Sequence, residues 1–287
     1  MATTRKNNKF LQFSFDFELL DACPLCESTV MIPNGSVSWI DMDFWYVICA
    51  SCGVKFMNPR PTQKSYRKFF KELYWEQKIR NVSFHQPGQM WGMKRYKWDN
   101  SKIWKPDEGK KIHIDKHRTL RVDGIMKTLV DNIKLDSNAD ILEVGPGFGV
   151  TLDEIRKKYR SKVYAIELSG EAQKTLKELK IPLLGEYMED VEKVSRTKQK
   201  FDAVIFSHVL ASAADPVQVI RWTKKCLKKN GIIYIQCSHL YTFDQMNPYH
   251  TFIFSKHTLG LLAKKVGLMA KRVDDDPKHR MLSMVLL

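Results

Sequence analysis

The 287-residue chain carries 47 Lys and Arg against 32 Asp and Glu, a net charge of +15, and is long enough for one α/β domain of roughly 150 residues plus a smaller unit. The positive excess favours anionic partners such as phosphorylated sugars, lipid-linked phosphates or RNA, or is simply a solvated basic surface. No stretch approaches the ~20 apolar residues of a membrane span and "MATTRKNNKFLQFSFDFELLDACP" lacks the apolar core of a signal peptide, so a cytoplasmic protein with thiol or metal-bound cysteines is expected.

Residues 1–60 are cysteine-marked and turn-rich. "CPLC" and "CASCG" place Cys23, Cys26, Cys49 and Cys52 in two C-x-x-C pairs. Between them, "VSWIDMDFWYVI" reads as strand. Two such pairs can surround one zinc tetrahedrally, and four sulfur ligands leave no open position, so the metal would be structural. Four unrelated thiols or a redox pair is the alternative. The expected unit is a small zinc ribbon.

Residues 61–134 are aromatic and basic, with helical spacing in places, and read as a helical lid or linker. Within them, "QMWGMKRYKWDNSKIWK" interleaves Trp91, Tyr96, Trp98 and Trp104 with lysines. Such a segment can stack and neutralise single-stranded RNA. It can equally be the packed face of a lid whose lysines meet water.

From residue 135 to 287, apolar strand-like runs alternate with charged helical ones. "ADILEVG", "KVYAIELS", "IPLLGEY", "FDAVIFSHVL" and "IIYIQCS" read as strands. "TLDEIRKKY", "GEAQKTLKEL", "PVQVIRWTKKCLKKNG" and "SKHTLGLLAKKVG" read as helices. "LMAKRVDD" and "RMLSMVLL" close as a hairpin, with an antiparallel last strand expected at the sheet edge. The alternation predicts an α/β, doubly covered parallel sheet. Ligands bind beyond the carboxyl ends of such strands. That rim collects Gly145 to Gly149, Glu167, the segment after Gly185, Ser207–His208 and Cys237–Ser238.

The turn "EVGPGFG" spaces its glycines G-x-G-x-G, unlike the G-x-G-x-x-G of a dinucleotide site, and no Lys-Ser or Lys-Thr follows as in a P-loop. Glu143 beside the loop would repel a pyrophosphate and suits a cationic ligand. Glu167, 18 residues beyond Gly149, can accept hydrogen bonds from ribose hydroxyls. Adenosine without pyrophosphate, carrying a cation, describes S-adenosylmethionine (SAM).

"ILEVGPGFG", "AIELS", "FDAVIFSHVLASAADP" and "LKKNGIIYIQ", in this order, resemble the class I SAM-dependent methyltransferases, over about residues 136–287. The resemblance implies a Rossmann-like SAM methyltransferase sheet. It implies that Glu143, Gly145 and Gly147 wrap the methionine end and that Glu167 holds the ribose, with Gly149 and Leu168 also among the cofactor-binding residues. It further implies that Met188 and Glu189 or Asp190 flank the adenine and that Ser207 lies on the cofactor rim. Many small-molecule members carry a Glu-His pair before the Asp-Pro, where this chain has Ala211 and Ser212.

The N-terminal "CPLC…WYVICASCGVKFMNPRPTQKSYRKFF" resembles the zinc-ribbon front end of a bacterial group that includes sugar C- and O-methyltransferases. "NPYHTFIFSKHTLGLLAKKVGL" resembles that group's His-then-Phe-Ser segment. The implied acceptor is a small anionic molecule, a sugar phosphate, nucleotide-linked sugar or glycan sugar. A neutral imidazole can take the acceptor's proton. His250 is the first candidate, Tyr249 its helper and His208 the second, followed by His239 and Tyr241. A structural role for His250 is the alternative. Cys237 reads as a buried thiol rather than a nucleophile. Two further readings stay open: an RNA methyltransferase using the basic N-terminal half, and a non-catalytic SAM-binding protein.

Overall fold

The structure, a computed structural model, describes residues 13–39, 42–72, 116–238, 240, 246, 248–276 and 281–287. Trp91, Tyr96, Trp98, Trp104, His239 and Tyr241 lie outside them, as does most of the expected lid.

The N-terminal part holds β1 (Phe17–Glu18), the long hairpin β2 (Met31–Trp39) and β3 (Met42–Cys49), β4 (Lys55–Met57), β5 (Arg60–Pro61) and helix α1 (Gln63–Glu72). Helix α2 (Lys116–Val130) leads into the second part. There β6 (Asp140–Val144), α3 (Val150–Tyr159), β7 (Lys162–Ile166), α4 (Gly170–Glu178), β8 (Leu183–Gly185), α5 (Val191–Ser195), β9 (Phe201–Ser207) and α6 (Pro216–Lys225) alternate as the sequence suggests. The chain ends with β10 (Leu227–Ser238), β11 (Phe252–Ile253), α7 (Lys256–Lys265), β12 (Ala270–Asp276) and β13 (Met281–Leu286).

Seven strands form one sheet in the order β12-β13-β10-β9-β6-β7-β8. Alternating side chains serve opposite faces, as the period of two demands. Ile141, Ala203, Ile205, Ile232 and Tyr234 pack with Ile125, Leu129, Leu152, Ile155 and Leu176 from α2, α3 and α4. Leu142, Val144, Val204, Phe206, Ile233 and Ile235 pack on the other side against Val219 and Ile220 of α6 and Leu259 and Leu262 of α7. Helix starts are written locally. Ser169, Asp215 and Ser255 accept backbone N–H groups as N-caps, and Pro216 follows its cap at N1.

Two expectations need correction. The last strand, β13, is antiparallel to both β10 and β12 but lies between them, and β12 takes the edge. The apolar "MLSMVL" is the strand to bury, and the charged "AKRVDDD" suits an edge with solvent on one side. Helix α6 does not continue to Gly231. It stops at Cys226, because Leu227 already pairs with Phe201 of β9 and an irregularity before Ile232 absorbs the Lys-Lys-Asn-Gly. A Cβ on Gly231 would stand 2.6 Å from the Phe201 carbonyl oxygen, which keeps that position glycine.

The N-terminal sheet, in the order β11-β4-β3-β2, is completed by a strand from the far end of the chain: Phe252 faces Phe56 and Ile253 faces Lys55. Cys23, Leu25, Cys49, Cys52, Val54 and Phe56 consequently share one apolar cluster with the α7 side of the large sheet. Among the described residues no helix is long and apolar enough to cross a membrane.

Ile125 is fully buried where α2 meets the large sheet. Ile125→Ala should lower unfolding stability by about 2–4 kcal/mol, read from the midpoint of urea unfolding.

Candidate functional site

Gly145, Gly147 and Gly149 all adopt positive φ, at 69°, 57° and 75°, a region that glycine enters without cost. Two of them are also hemmed in. A Cβ on Gly145 would lie 2.8 Å from Val209 Cγ2, and one on Gly149 would lie 2.5 Å from Leu176 Cδ2. The loop thus bends tightly between β6 and α3 and exposes backbone rather than side chain to the rim.

Glu167 braces this loop. Its Oε2 accepts the Gly147 N–H at 2.8 Å and its Oε1 accepts the Ser169 N–H at 2.8 Å, and the Leu168 N–H also favours the carboxylate. Burial still holds its carboxyl above the usual range. Each oxygen keeps a lone pair, so ribose hydroxyls can donate to the same carboxylate. Ser207, at the end of β9, is half-buried with its Oγ 3.4 Å from Gln236 Oε1.

The segment after β8 forms a tight turn. Asp190 Oδ2 accepts the N–H groups of Glu186 and Tyr187, at 2.8 and 3.0 Å. Met188 and Glu189 are half-buried on this turn. Glu189 is paired with Arg67 Nη2 of α1 at 3.0 Å. The Arg67 guanidinium lies 4.3 Å from the Tyr187 ring centroid, and Lys71 reaches Glu186 at 3.2 Å. The N-terminal part therefore grips the turn at the adenine end of the expected cofactor site.

Glu143 is buried near the end of β6, and its Oε2 has no hydrogen-bond partner among the described residues. Burial pushes its carboxyl up to about 7, Glu167 adding to the rise and the charge of Arg121 opposing it. An unpartnered buried carboxylate oxygen beside a glycine cradle, with Glu167 still able to accept, fits an adenosine that carries an amino group. The donor set therefore suits SAM.

His208 follows β9 with φ 59° and is held by its N–H to the Gln236 carbonyl at 2.8 Å. Burial pushes its imidazole down to about 3, with Arg121 and His250 adding to the effect. Burial alone pushes His250 down to about 4. The structure thus brings Glu143, Arg121, His208 and His250 into one electrostatic neighbourhood, with both imidazoles uncharged at neutral pH.

Tyr249 is placed differently. Its ring stacks on Phe69 at 6.0 Å and meets Trp39 edge-on at 5.3 Å, within the aromatic core of the N-terminal part. The segment around it is pinned by backbone acceptors. Tyr46 donates to the His250 carbonyl at 2.7 Å, Tyr66 to that of Pro248 and Ser212 to that of Tyr249 at 2.7 Å. Ser212 thus helps to position the histidine segment. Cys237 is buried, and burial pushes its thiol up to about 12, as a packed thiol rather than a nucleophile.

Away from the rim, the Sγ atoms of Cys23, Cys26, Cys49 and Cys52 lie within 4.8 Å of one another. Cys23–Cys52 and Cys26–Cys49 are 3.7 and 3.4 Å apart. A zinc held by four ~2.3 Å bonds has sulfur–sulfur edges of about 3.8 Å, so the cluster can hold a metal. Both knuckles make the same turn. The residue after the second cysteine, Glu27 or Gly53, takes positive φ and donates to the carbonyl of the first.

Sequence reasoning passed over Arg121 and Arg67. Arg121 had a signal: it lies four and eight residues before Ile125 and Leu129, a charged residue on a buried helical stripe.

A family model described as a methyltransferase domain matches residues 114–270. No curated protein matches the chain. The magnesium protoporphyrin IX methyltransferase of Synechocystis PCC 6803, solved with bound SAH, is similar in fold. It shows a TM-score of 0.52 and 13% identity, covering 78% of this chain and 99% of its own. A SAM-dependent methyltransferase from Aquifex aeolicus matches at 0.46 with 18% identity, over 57% of this chain and 88% of its own. The N-methyltransferase NodS of Bradyrhizobium japonicum WM9 matches at 0.46 with 12% identity, over 60% and 87%.

Glu143 makes a distinctive prediction. With its folded carboxyl raised to about 7 from 4.5, the folded state holds its proton more tightly than the unfolded one. Stability is therefore lost as pH rises from about 4.5 through 7. Glu143→Gln should stabilise the ligand-free protein at pH 8 by on the order of 3 kcal/mol, and by little near pH 4.5, in paired urea titrations.

Proposed function

The chain belongs to the methyltransferase-domain family, matched over more than half its length, and is a SAM-dependent methyltransferase; from this premise we propose that it methylates a small anionic acceptor. The specific reading is an oxygen or carbon of a sugar carried on a phosphate, nucleotide or glycan. The observation that carries it is the anchoring of the histidine segment beside the rim. The Pro248–His250 segment is tied to the end of the large sheet by Ser212, to the N-terminal sheet by Tyr46 of β3 and to α1 by Tyr66. Anchoring at three points fixes the backbone that carries His250, which suits the precise placement of a small acceptor. The RNA reading rests on residues outside the described ones.

When bound, SAM supplies a methyl group on a sulfonium for in-line transfer. We assign Glu143, Gly145, Gly147 and Gly149 to its methionine end, Glu167 and Leu168 to the ribose, Met188 and Glu189 to the adenine edge, and Ser207 to the adjoining rim. His250 is the proposed base, because its uncharged imidazole can take a proton from an alcohol or acidic C–H. His208 is the alternative base on the same neighbourhood. Tyr249 acts through its backbone, holding His250 in place. Cys23, Cys26, Cys49 and Cys52 are assigned to a structural zinc in a ribbon that steadies α1 against the adenine turn. A reducing cytoplasm suits these thiols.

Calorimetric titration with SAM and its demethylated product SAH, followed by methyl transfer to a panel of nucleotide sugars and to bulk RNA, tests the reading. Saturable binding that is lost in Gly147→Arg, with methylation of a sugar, is expected. Methylation of RNA alone would overturn the acceptor class. The ratio kcat/KM, which reports the free enzyme, should stay level from pH 8 to about 5 and fall below, since His250 and His208 of the free protein protonate near 4 and 3. An acid limb at the ordinary 6.5 would remove His250 as a desolvated base. The purified protein should contain about one zinc per chain by elemental analysis, and Cys49→Ser should lose it.

A further inference from the structure

Among the described residues, four buried side-chain atoms lack a hydrogen-bond partner: Trp39 Nε1, Arg67 Nε, Arg121 Nε and Glu143 Oε2. Two of these, Arg121 Nε and Glu143 Oε2, belong to groups that feel each other's charge. Yet no ion pair joins them among the described residues. Unsatisfied buried donors and acceptors are costly in a folded protein, and an open donor and an open acceptor on groups close enough to feel each other's charge call for a common ligand.

The placement of Arg121 is specific. Val122, Ile125 and Leu129 are buried and fix α2 on the large sheet. Arg121 shares the stripe of Ile125 and Leu129, so its guanidinium is drawn inward rather than toward solvent. Helix α2 ends near the start of β6, so its first turns reach back to the rim at the end of that strand. The charge of Arg121 acts on both Glu143, after β6, and His208, after β9.

We propose that Arg121 is the anion-binding residue of this site, its guanidinium taking a carboxylate or phosphate oxygen of a ligand seated between Glu143 and His208. Guanidinium is suited to this: it stays charged when buried, and its planar fork grips two oxygens of one anion. Two ligands present that chemistry here, the α-carboxylate of the cofactor and an anionic group on the acceptor. The proposal rests on the SAM reading above and deepens it.

The test compares wild type, Arg121→Gln and Arg121→Lys by calorimetry with SAH and with 5′-methylthioadenosine, which lacks the amino-acid end. The same three proteins, saturated with SAH, are then titrated with inorganic pyrophosphate. Thermal melts confirm that each variant is folded. If the cofactor's carboxylate is the anion, Arg121→Gln should lose about tenfold or more in SAH affinity. Methylthioadenosine affinity should not change, and Arg121→Lys should recover part of the loss. If the acceptor supplies the anion, SAH affinity should hold and pyrophosphate binding should disappear in Arg121→Gln. Unchanged binding of both SAH and pyrophosphate, or equal loss of SAH and methylthioadenosine, overturns the proposal. Wild type that binds neither nucleoside would sink the SAM reading itself, a different result from a variant that behaves as wild type.

Discussion

A carboxylate buried at the end of a parallel strand needs hydrogen-bond donors, or it is held as a neutral acid. The rim of this sheet carries two such groups, answered in opposite ways. Glu167 spends its oxygens on the N–H groups of Gly147 and Ser169, and in doing so locks the glycine loop to the end of β7. Glu143 has no such donor at Oε2 among the described residues, and burial leaves its carboxyl half neutral near pH 7. One carboxylate therefore braces the loop, and the other keeps an open acceptor beside it. Three glycines give the loop its positive φ values without strain, and the Gly147 N–H bond to Glu167 selects one conformation among those open to them.

The N-terminal part completes the site rather than standing beside it. Its sheet borrows β11 from the far end of the chain, and its aromatic core takes in the ring of Tyr249. At the other side of the rim, Arg67 and Lys71 hold Glu189 and Glu186. The Lys71–Glu186 pair is exposed and contributes little energy, whereas Arg67–Glu189 is partly buried and is backed by the guanidinium's contact with the Tyr187 ring. The cysteine knuckles belong to the same packed cluster as α7, and Lys265 of that helix reaches Glu27 beside the first knuckle at 2.7 Å. A metal there would stiffen both the adenine turn and the histidine segment without touching either.

What could be read from the sequence follows the range of the interaction involved. Strands β6, β7 and β9 are legible because apolar runs bounded by turn residues need only local information. The four-cysteine cluster is legible because two C-x-x-C pairs at this spacing can bring their thiols together. Non-local pairings are not. The two residues of β11 pair with β4 across almost two hundred positions, and nothing in "TFIF" names its partner. The overshoot of α6 has the same origin: "CLKK" is helical by propensity, and only the pairing of Leu227 with Phe201 ends it. The order of the last two strands turned on which was more charged, a feature visible in "AKRVDDD". Arg121 was visible too, but a charged residue on an apolar stripe counts as an error in a periodic pattern until its partner is known.

The two imidazoles raise a chemical difficulty that an anionic acceptor resolves. An imidazole held near 4 is uncharged at neutral pH and so ready to accept a proton, but it is a weak base for an alcohol. Its low value comes from burial, which disfavours the charged form. A ligand anion brought beside it favours that same charged form and raises the imidazole toward the value that general-base catalysis wants. The same anion offsets the positive charge of Arg121, which pushes His208 down when the site holds no ligand. On the proposed reading, a neutral acceptor would leave both histidines weak. An anionic one strengthens them on arrival, so the acceptor's charge serves selection and base strength together.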